Sequence, residues 1–224
     1  MSARVLAIGD IHGCDVALEV LVHKLNIRAA DTLIVLGDAV DRGPGTKRVV
    51  EQLIELEDAC RLIFIQGNHE EMMLDGLKGG RFEDIWLNNG GQEAIDSYGR
   101  SYADVLPEHV EFLKTAIDYW ENETAIFTHA SLEPDVPLNE QSPEWLRWTR
   151  FTGEEAPHSS GKRVLCGHTP RISGEVTLAN GWVCLDTWAY HDGYLSCLDL
   201  THGLLYQSQQ TGEFFERGVL SEEE

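Results

Sequence analysis

The chain has 224 residues, 42% of them hydrophobic and 25% charged, and its 38 acidic against 17 basic side chains give a formal charge of −21. This composition excludes a disordered or fibrous chain, and a field of that sign repels the backbone of DNA or RNA, so no nucleic-acid partner is expected. The length suits one domain over residues 1–224; no apolar run nears the ~20 residues of a membrane span; and Met1-Ser2-Ala3-Arg4 leads into a strand-like run rather than a signal peptide, which makes the cytoplasm the expected compartment.

Taken in chain order, Val5–Ile8, Leu33–Leu36 and Leu62–Ile65 are short branched-apolar runs that read as buried strands. Ala17, Leu18, Leu21, Val22 and Leu25 repeat at helical spacing between the first two, and Val49, Val50, Leu53 and Ile54 do so between the second and third. The alternation predicts an α/β opening with a largely parallel sheet. A helical middle is expected from about Glu70 to Trp120, broken at Gly79-Gly80, at Asn88-Asn89-Gly90-Gly91 and at Gly99. Strand-like runs return at Ala125–Phe127, Val164–Cys166, Trp182–Leu185, Leu195–Leu198 and Leu204–Tyr206, so the tail reads as β-rich. The polar stretch 131–160 reads as a long loop. Cys14, Cys60, Cys166, Cys184 and Cys197 form no Cys-x-x-Cys pair and are expected as small, reduced core residues.

Strand after strand ends in Gly or Thr followed by a side chain able to bind a metal: Gly9-Asp10, Gly37-Asp38, Gly67-Asn68, Thr128-His129 and Gly167-His168. In an open α/β sheet such positions lie beyond the carboxyl ends of the strands and converge on one crevice. Asp10 and His12, two apart, point to the same side of an extended segment. Carboxylate, imidazole and amide oxygen without thiolate favour Mn²⁺, Fe or Zn²⁺. Six ligands exceed what one open catalytic ion needs, whereas two ions ~3.5–4 Å apart would use them all for in-line phosphoryl displacement. Any one of these residues could equally cap a helix or fill a core. Three compact motifs together, Gly9-Asp10-Ile11-His12-Gly13, Gly37-Asp38-Ala39-Val40-Asp41-Arg42-Gly43 and Gly67-Asn68-His69-Glu70, are far more specific.

With His129-Ala130, Trp148-Thr149-Arg150, Gly167-His168-Thr169-Pro170 and Leu185-Asp186-Thr187 in the same order, the chain resembles the phosphoprotein phosphatase branch of the calcineurin-like metallophosphoesterases, in particular its small bacterial and bacteriophage serine/threonine members. The resemblance implies the calcineurin-like fold, an α+β sandwich of central β-sheets flanked by helices. It implies two divalent ions, manganese first with iron or zinc as alternatives, one held by Asp10, His12 and Asp38 and the other by Asp38, Asn68, His129 and His168. It further implies that Arg42 and Arg150 grip phosphate, that His69, oriented by Asp41, protonates the leaving alcohol, and that a metal-activated hydroxide attacks phosphate directly. Phosphoproteins or phosphopeptides are the implied substrates.

Elementary chemistry agrees with these residue types. Guanidinium forks match phosphate oxygens better than lysine does, and an imidazolium beside a carboxylate helps a poor alkoxide leaving group. Arg147, three residues before Arg150, is the rival for the second arginine. Trp86, Asn89-Gly90-Gly91 and Tyr98 could line a substrate wall, although core packing is the commoner fate of a helical aromatic. His23, His109, His158, His191 and His202 fall outside every motif.

Symmetric cleavage of dinucleoside tetraphosphates on the same scaffold is the alternative; the relatives performing it typically carry Ala at the position of Asp41 and Asp at that of Glu70. A phosphate-binding module without turnover is a third reading, which the intact motif residues leave little room for. One departure stands out: the family commonly continues Asp-Thr with Gly, and this chain has Trp188 there.

Overall fold

The computed structural model describes residues 3–219. Its elements run β1 (Val5–Ile8), α1 (Asp15–Leu25), β2 (Thr32–Val35), α2 (Thr46–Ala59), β3 (Arg61–Phe64), α3 (Asn68–Gly76), α4 (Glu83–Trp86), α5 (Gln92–Tyr98), α6 (Pro107–Leu113), β4 (Tyr119–Glu121), β5 (Ala125–Thr128), α7 (Pro143–Trp148), β6 (Arg163–Cys166), β7 (Thr177–Ala179), β8 (Trp182–Cys184), β9 (Asp186–Thr187), β10 (Tyr194–Asp199), β11 (Leu204–Ser208) and β12 (Phe214–Val219).

The strands form two mixed sheets. The first has the order β12-β11-β10-β1-β2-β3 with β9 also on β10, and the second β4-β5-β6-β8-β7. Between named strands, parallel pairing is confined to β1-β2-β3 and β5-β6-β8, and all of these but β8 carry an expected ligand beyond their carboxyl ends. Alternate residues of each buried strand serve different layers, as the two-residue strand period requires. Ala7, Ile34, Phe127, Leu165, Val183 and Leu198 fill the space between the sheets. Leu6, Ile8, Leu33 and Val35 pack outward under α1, α2, α3, α5 and α6. Ile126, Val164, Cys166 and Trp182 pack on the other side with Leu146 of α7 and Phe151. The result is helices, sheet, sheet, helix: the expected mixed α/β class with two sheets flanked by helices. Both strand faces are buried, which explains why these strands read as continuous apolar runs rather than as alternation.

Ala17, Leu18, Leu21 and Leu25 form the buried stripe of α1, and Asn26 ends the helix at φ 48°, its N–H reaching back to Val22 and His23. Asn is one of the few side chains that tolerates this left-handed turn. The helical middle is shorter than its periodicity suggests. It ends at Leu113, and β4 takes Tyr119–Glu121, pairing Trp120 with Phe127. The 131–160 stretch is not wholly loop, because Ser142 caps α7 through the Trp145 N–H and Pro143 occupies its first turn. All five cysteines are buried and unpaired. Among the described residues no helix is long and apolar enough to cross a membrane.

Candidate metal centre and phosphate cleft

Asp10, Asp38, Asn68, His129 and His168 follow β1, β2, β3, β5 and β6, and the facing carboxyl ends of the two sheets bring them to one rim. Two three-residue groups lie close enough to share an ion: His12, Asp38 and His69; and Asp38, His129 and His168. Asp38 belongs to both, with Oδ2 at 3.6 Å from His12 Nε2 and Oδ1 at 3.4 Å from His129 Nε2. Asn68 Oδ1 lies 3.1 Å from His129 Nε2 and 3.0 Å from His168 Nδ1, and those two nitrogens are 3.2 Å apart. Asp10 stands at the margin, its Oδ2 4.0 Å from His12 Nε2 and both oxygens accepting the His168 backbone N–H.

The far nitrogen of each imidazole donates to a backbone carbonyl: His12 Nδ1 to Val40 (3.1 Å), His129 Nδ1 to Leu36 (2.8 Å) and His168 Nε2 to Trp148 (3.0 Å). Each ring's single proton is therefore committed outward when the ring is neutral, and its lone pair points inward. Burial keeps the rings neutral, pulling His12 and His129 down and His168 down to about 4. Burial opposes charge on Asp38 as well, but at the acid pH where this carboxyl titrates the charges of protonated His129, His69, His12 and His168 more than offset it and hold it well below its usual range. Lone pairs of Asn68, His129 and His168 thus face one another at hydrogen-bond distance with no hydrogen between them. That arrangement is repulsive by itself and suits a cation, and the oxygen and nitrogen donors suit a divalent transition ion.

Close packing at the rim explains two of the glycines. A Cβ on Gly67 would overlap Asp38 Oδ1, and one on Gly167 would overlap Asp10 Oδ1. Gly67 makes room for the carboxylate that follows the adjacent strand β2, and Gly167 for the one that follows β1 of the facing sheet, beyond any turning of their own backbones. His12, Asp38, Asp41, Arg42 and His168 all have left-handed φ, between 46° and 71°, each at a cost of about 1–2 kcal/mol. Backbone hydrogen bonds hold the strained loops, among them His12 N–H to Asp38 O and Arg42 N–H to Gly90 O. Glu70 adds a clamp, its buried carboxylate accepting the N–H groups of Gly67, Asp38 and Ala39 at 2.8–2.9 Å. Burial and nearby Asp38 push the Glu70 carboxyl up to about 7. Nothing in the sequence reading assigned Glu70 this structural part.

His69 Nδ1 donates to Asp41 Oδ2 at 2.7 Å, and Trp86 Nε1 donates to Asp41 Oδ1 at 2.8 Å. Burial lowers His69, but the Asp38 and Asp41 carboxylates more than offset it, so its pKa is raised. Its Nε2 faces Arg42 Nη2 at 3.2 Å. A cavity of about 360 Å³ opens beside these groups, lined by His12, Asp38, Arg42, Asn68, His69, Arg150, His168, Asp186 and Tyr190 among others. A roomier groove of about 630 Å³ lies between α1 and α2, lined by Glu19, His23 and Arg48, and carries no comparable cluster.

Arg150 lines the cavity, whereas Arg147 is bound to Asp118 (2.5 Å) and Glu71 (3.5 Å), so the cavity's second arginine is Arg150. Trp86 is fully buried and Tyr98 is buried with its hydroxyl 2.8 Å from His109 Nδ1. Asn89 does reach the cavity. His23, His109, His158, His191 and His202 do not line it.

Among the polar lining residues, Tyr190 belongs to no motif and Asp186, in Leu185-Asp186-Thr187, has no role assigned from the sequence. Tyr190 accepts Arg42 Nη1 at 2.5 Å, places its ring 4.6 Å under that guanidinium and meets the His12 ring edge-on at 4.9 Å. Asp186 is buried near Asp38, and burial pushes its carboxyl up to about 7. Its place in the Leu185-Asp186-Thr187 motif was the available signal; for Tyr190 there was none.

The sequence profile of the calcineurin-like phosphoesterases matches residues 3–193. A symmetrical bis(5'-nucleosyl)-tetraphosphatase of Delftia acidovorans is 40% identical over 75 residues, which is 33% of this chain and only 26% of that protein. A solved structure described as a putative diadenosine tetraphosphatase superposes with a TM-score of 0.69 at 20% identity, covering 99% of this chain and 96% of that one. The cold-active protein-tyrosine phosphatase of a psychrophilic Shewanella species gives a TM-score of 0.69 at 18% identity over 96% of this chain and 80% of that one. At these identities the structural likeness speaks for the fold alone.

Proposed function

The chain belongs to the calcineurin-like phosphoesterase family, and from that footing we propose that it is a metal-dependent phosphoesterase that cleaves dinucleoside tetraphosphates symmetrically. The hydrolytic chemistry rests on one observation above all: the inward-facing acceptors of Asp38, Asn68, His129 and His168, with neighbouring separations of 3.0–3.4 Å, beside a cavity lined by two arginines.

In the proposed arrangement Asp10, His12 and Asp38 hold one divalent ion and Asp38, Asn68, His129 and His168 a second, with manganese the first candidate and iron or zinc the alternatives. Ions bound there supply Lewis-acid polarisation of phosphate and lower the pKa of a water towards ~7. Arg42 and Arg150 grip the oxygens of the phosphoryl group, whose charge spreads as the bond from the attacking water forms and the bond to the leaving oxygen breaks. Arg42 is held for this by Tyr190, and His69 gives its Nε2 proton to the leaving oxygen while Asp41 keeps its ring oriented.

Support for the tetraphosphate comes from the relatives, since the sequence matches are to symmetrical bis(5'-nucleosyl)-tetraphosphatases and a structural neighbour is described as a putative diadenosine tetraphosphatase. The phosphoprotein substrate expected from the motifs therefore moves to second place. The buried Asp41–His69 pair keeps it in view. A nucleoside diphosphate leaves as a weakly basic anion and needs little help, whereas a serine alkoxide needs a proton.

The test is a comparison of steady-state rates of the Mn²⁺-loaded protein on diadenosine tetraphosphate, with ADP as the expected product, and on phosphoserine and phosphotyrosine peptides. A clear preference for peptides overturns the substrate assignment. No turnover of any phosphoester with two equivalents of metal overturns the enzyme assignment as well.

A further inference from the structure

Trp188 has φ 64°, a left-handed conformation that glycine adopts freely and an indole-bearing residue only at a cost. Its backbone is pinned there by a bond from its N–H to Asp186 Oδ1 (3.1 Å) and by a bridge to Tyr194. The half-buried ring stacks on that of His191, with centroids 4.2 Å apart and planes 2° from parallel. His191 is more than half exposed, with Nδ1 3.1 Å from Asp192 Oδ2. On its inner side the indole meets Tyr190 edge-on at 6.3 Å, and Tyr190 is the cavity wall that holds Arg42. The stacked pair thus stands just outside the residues that line the phosphate cleft, separated from Arg42 by the Tyr190 ring, to which the indole is nearly perpendicular.

We propose that the stacked Trp188–His191 pair is a base shelf, taking the purine of a nucleotide whose phosphates lie against Arg42. The shelf rests on the tetraphosphate reading and deepens it. A chain with a formal charge of −21 opposes a polyanionic ligand. Stacking a base on an aromatic surface contributes affinity that does not depend on charge, because every base offers a π-face. Strain held at Trp188 gains a purpose in the same way: the chain places a ring where a glycine would fit the backbone better.

The experiment titrates Mn²⁺-loaded protein with ADP and, separately, with inorganic pyrophosphate by calorimetry, in the wild type, Trp188→Gly and His191→Ala. Glycine suits φ 64°, so Trp188→Gly removes the ring without a backbone penalty, and its melting curve checks that the fold is kept. We expect ADP to bind about tenfold more weakly to Trp188→Gly, less so to His191→Ala, while pyrophosphate affinity stays within about twofold in both. Equal weakening of the two ligands, or no weakening of ADP, overturns the shelf. Turnover of diadenosine tetraphosphate is scored separately. Selective loss of ADP without turnover in the wild type supports the shelf and overturns the substrate reading; turnover with unselective binding does the reverse.

Discussion

Replacing Asp41 by asparagine should divide substrates by their leaving groups. Asp41 is fully buried and accepts two hydrogen bonds, from His69 Nδ1 at 2.7 Å and Trp86 Nε1 at 2.8 Å. Asparagine keeps the volume but offers one acceptor. If that oxygen stays with the indole N–H, the amide nitrogen faces His69 Nδ1 as donor against donor, and the imidazolium loses its buried counter-charge. The raised pKa of His69 then falls. A positioned general acid contributes typically 10²–10⁴-fold, about 3–5 kcal/mol. The kcat on a phosphoserine peptide should drop by that range, whereas diadenosine tetraphosphate, with ADP as leaving group, should lose less than about tenfold. In the proposed role His69 acts in its protonated form, so activity should fall as pH rises through its pKa, and the variant's alkaline limb should move to lower pH. The assay is kcat against pH on both substrates, with metal content and melting temperature matched to the wild type. Equal losses on the two substrates, or an unmoved limb, would refute the assignment of His69 as the acid.

Other outcomes follow from the same geometry. Gly167→Ala puts a methyl against Asp10 Oδ1, and should weaken metal binding by calorimetry and destabilise the fold by about 1–3 kcal/mol; unchanged metal affinity would show Asp10 to be irrelevant to the ion. Phe127→Ala empties a fully buried site between the sheets and should cost about 3–5 kcal/mol in urea denaturation. Saturating Mn²⁺ should raise the stability of metal-free protein by about 2.7 kcal/mol at 100 times Kd, and Asp38→Asn should abolish the rise. Burial holds His109 below its ordinary value of 6.5. The unfolded chain then takes up a proton the folded chain refuses, so stability falls as pH drops below that value. The advantage of wild type over His109→Gln should accordingly shrink between about pH 7 and 5, read from denaturation midpoints; a constant difference would refute it.

Much of the scaffold was legible because both faces of the central strands are buried, so Val5–Ile8, Leu33–Val35, Ala125–Phe127 and Val164–Cys166 announce themselves as apolar runs. The strands β4, β7 and β12 escaped notice. Tyr119-Trp120-Glu121 and Thr177-Leu178-Ala179 are short and only partly buried, and Phe214–Val219 carries Glu216, Arg217 and Gly218. Edge strands of this kind lack the pattern that burial imposes. At the cleft, the motif residues gather beyond the carboxyl ends of their strands, but the parts of Glu70, Trp86 and Tyr190 depend on partners 32 to 148 positions away, namely Asp38, Asp41 and Arg42.

The order of strand-terminal candidate ligands, the mixed α/β class and the phosphoesterase family were determined by the sequence alone, because a polar side chain after a buried strand is a local pattern and local patterns survive in one dimension. Only the tertiary structure decided which arginine enters the cleft, why Gly67 and Gly167 lack side chains, and which imidazole lone pairs face inward. Those are questions of distance between segments far apart in the chain. Arg147 and Arg150 differ by three positions, and the carboxylates of Asp118 and Glu71 separate their fates.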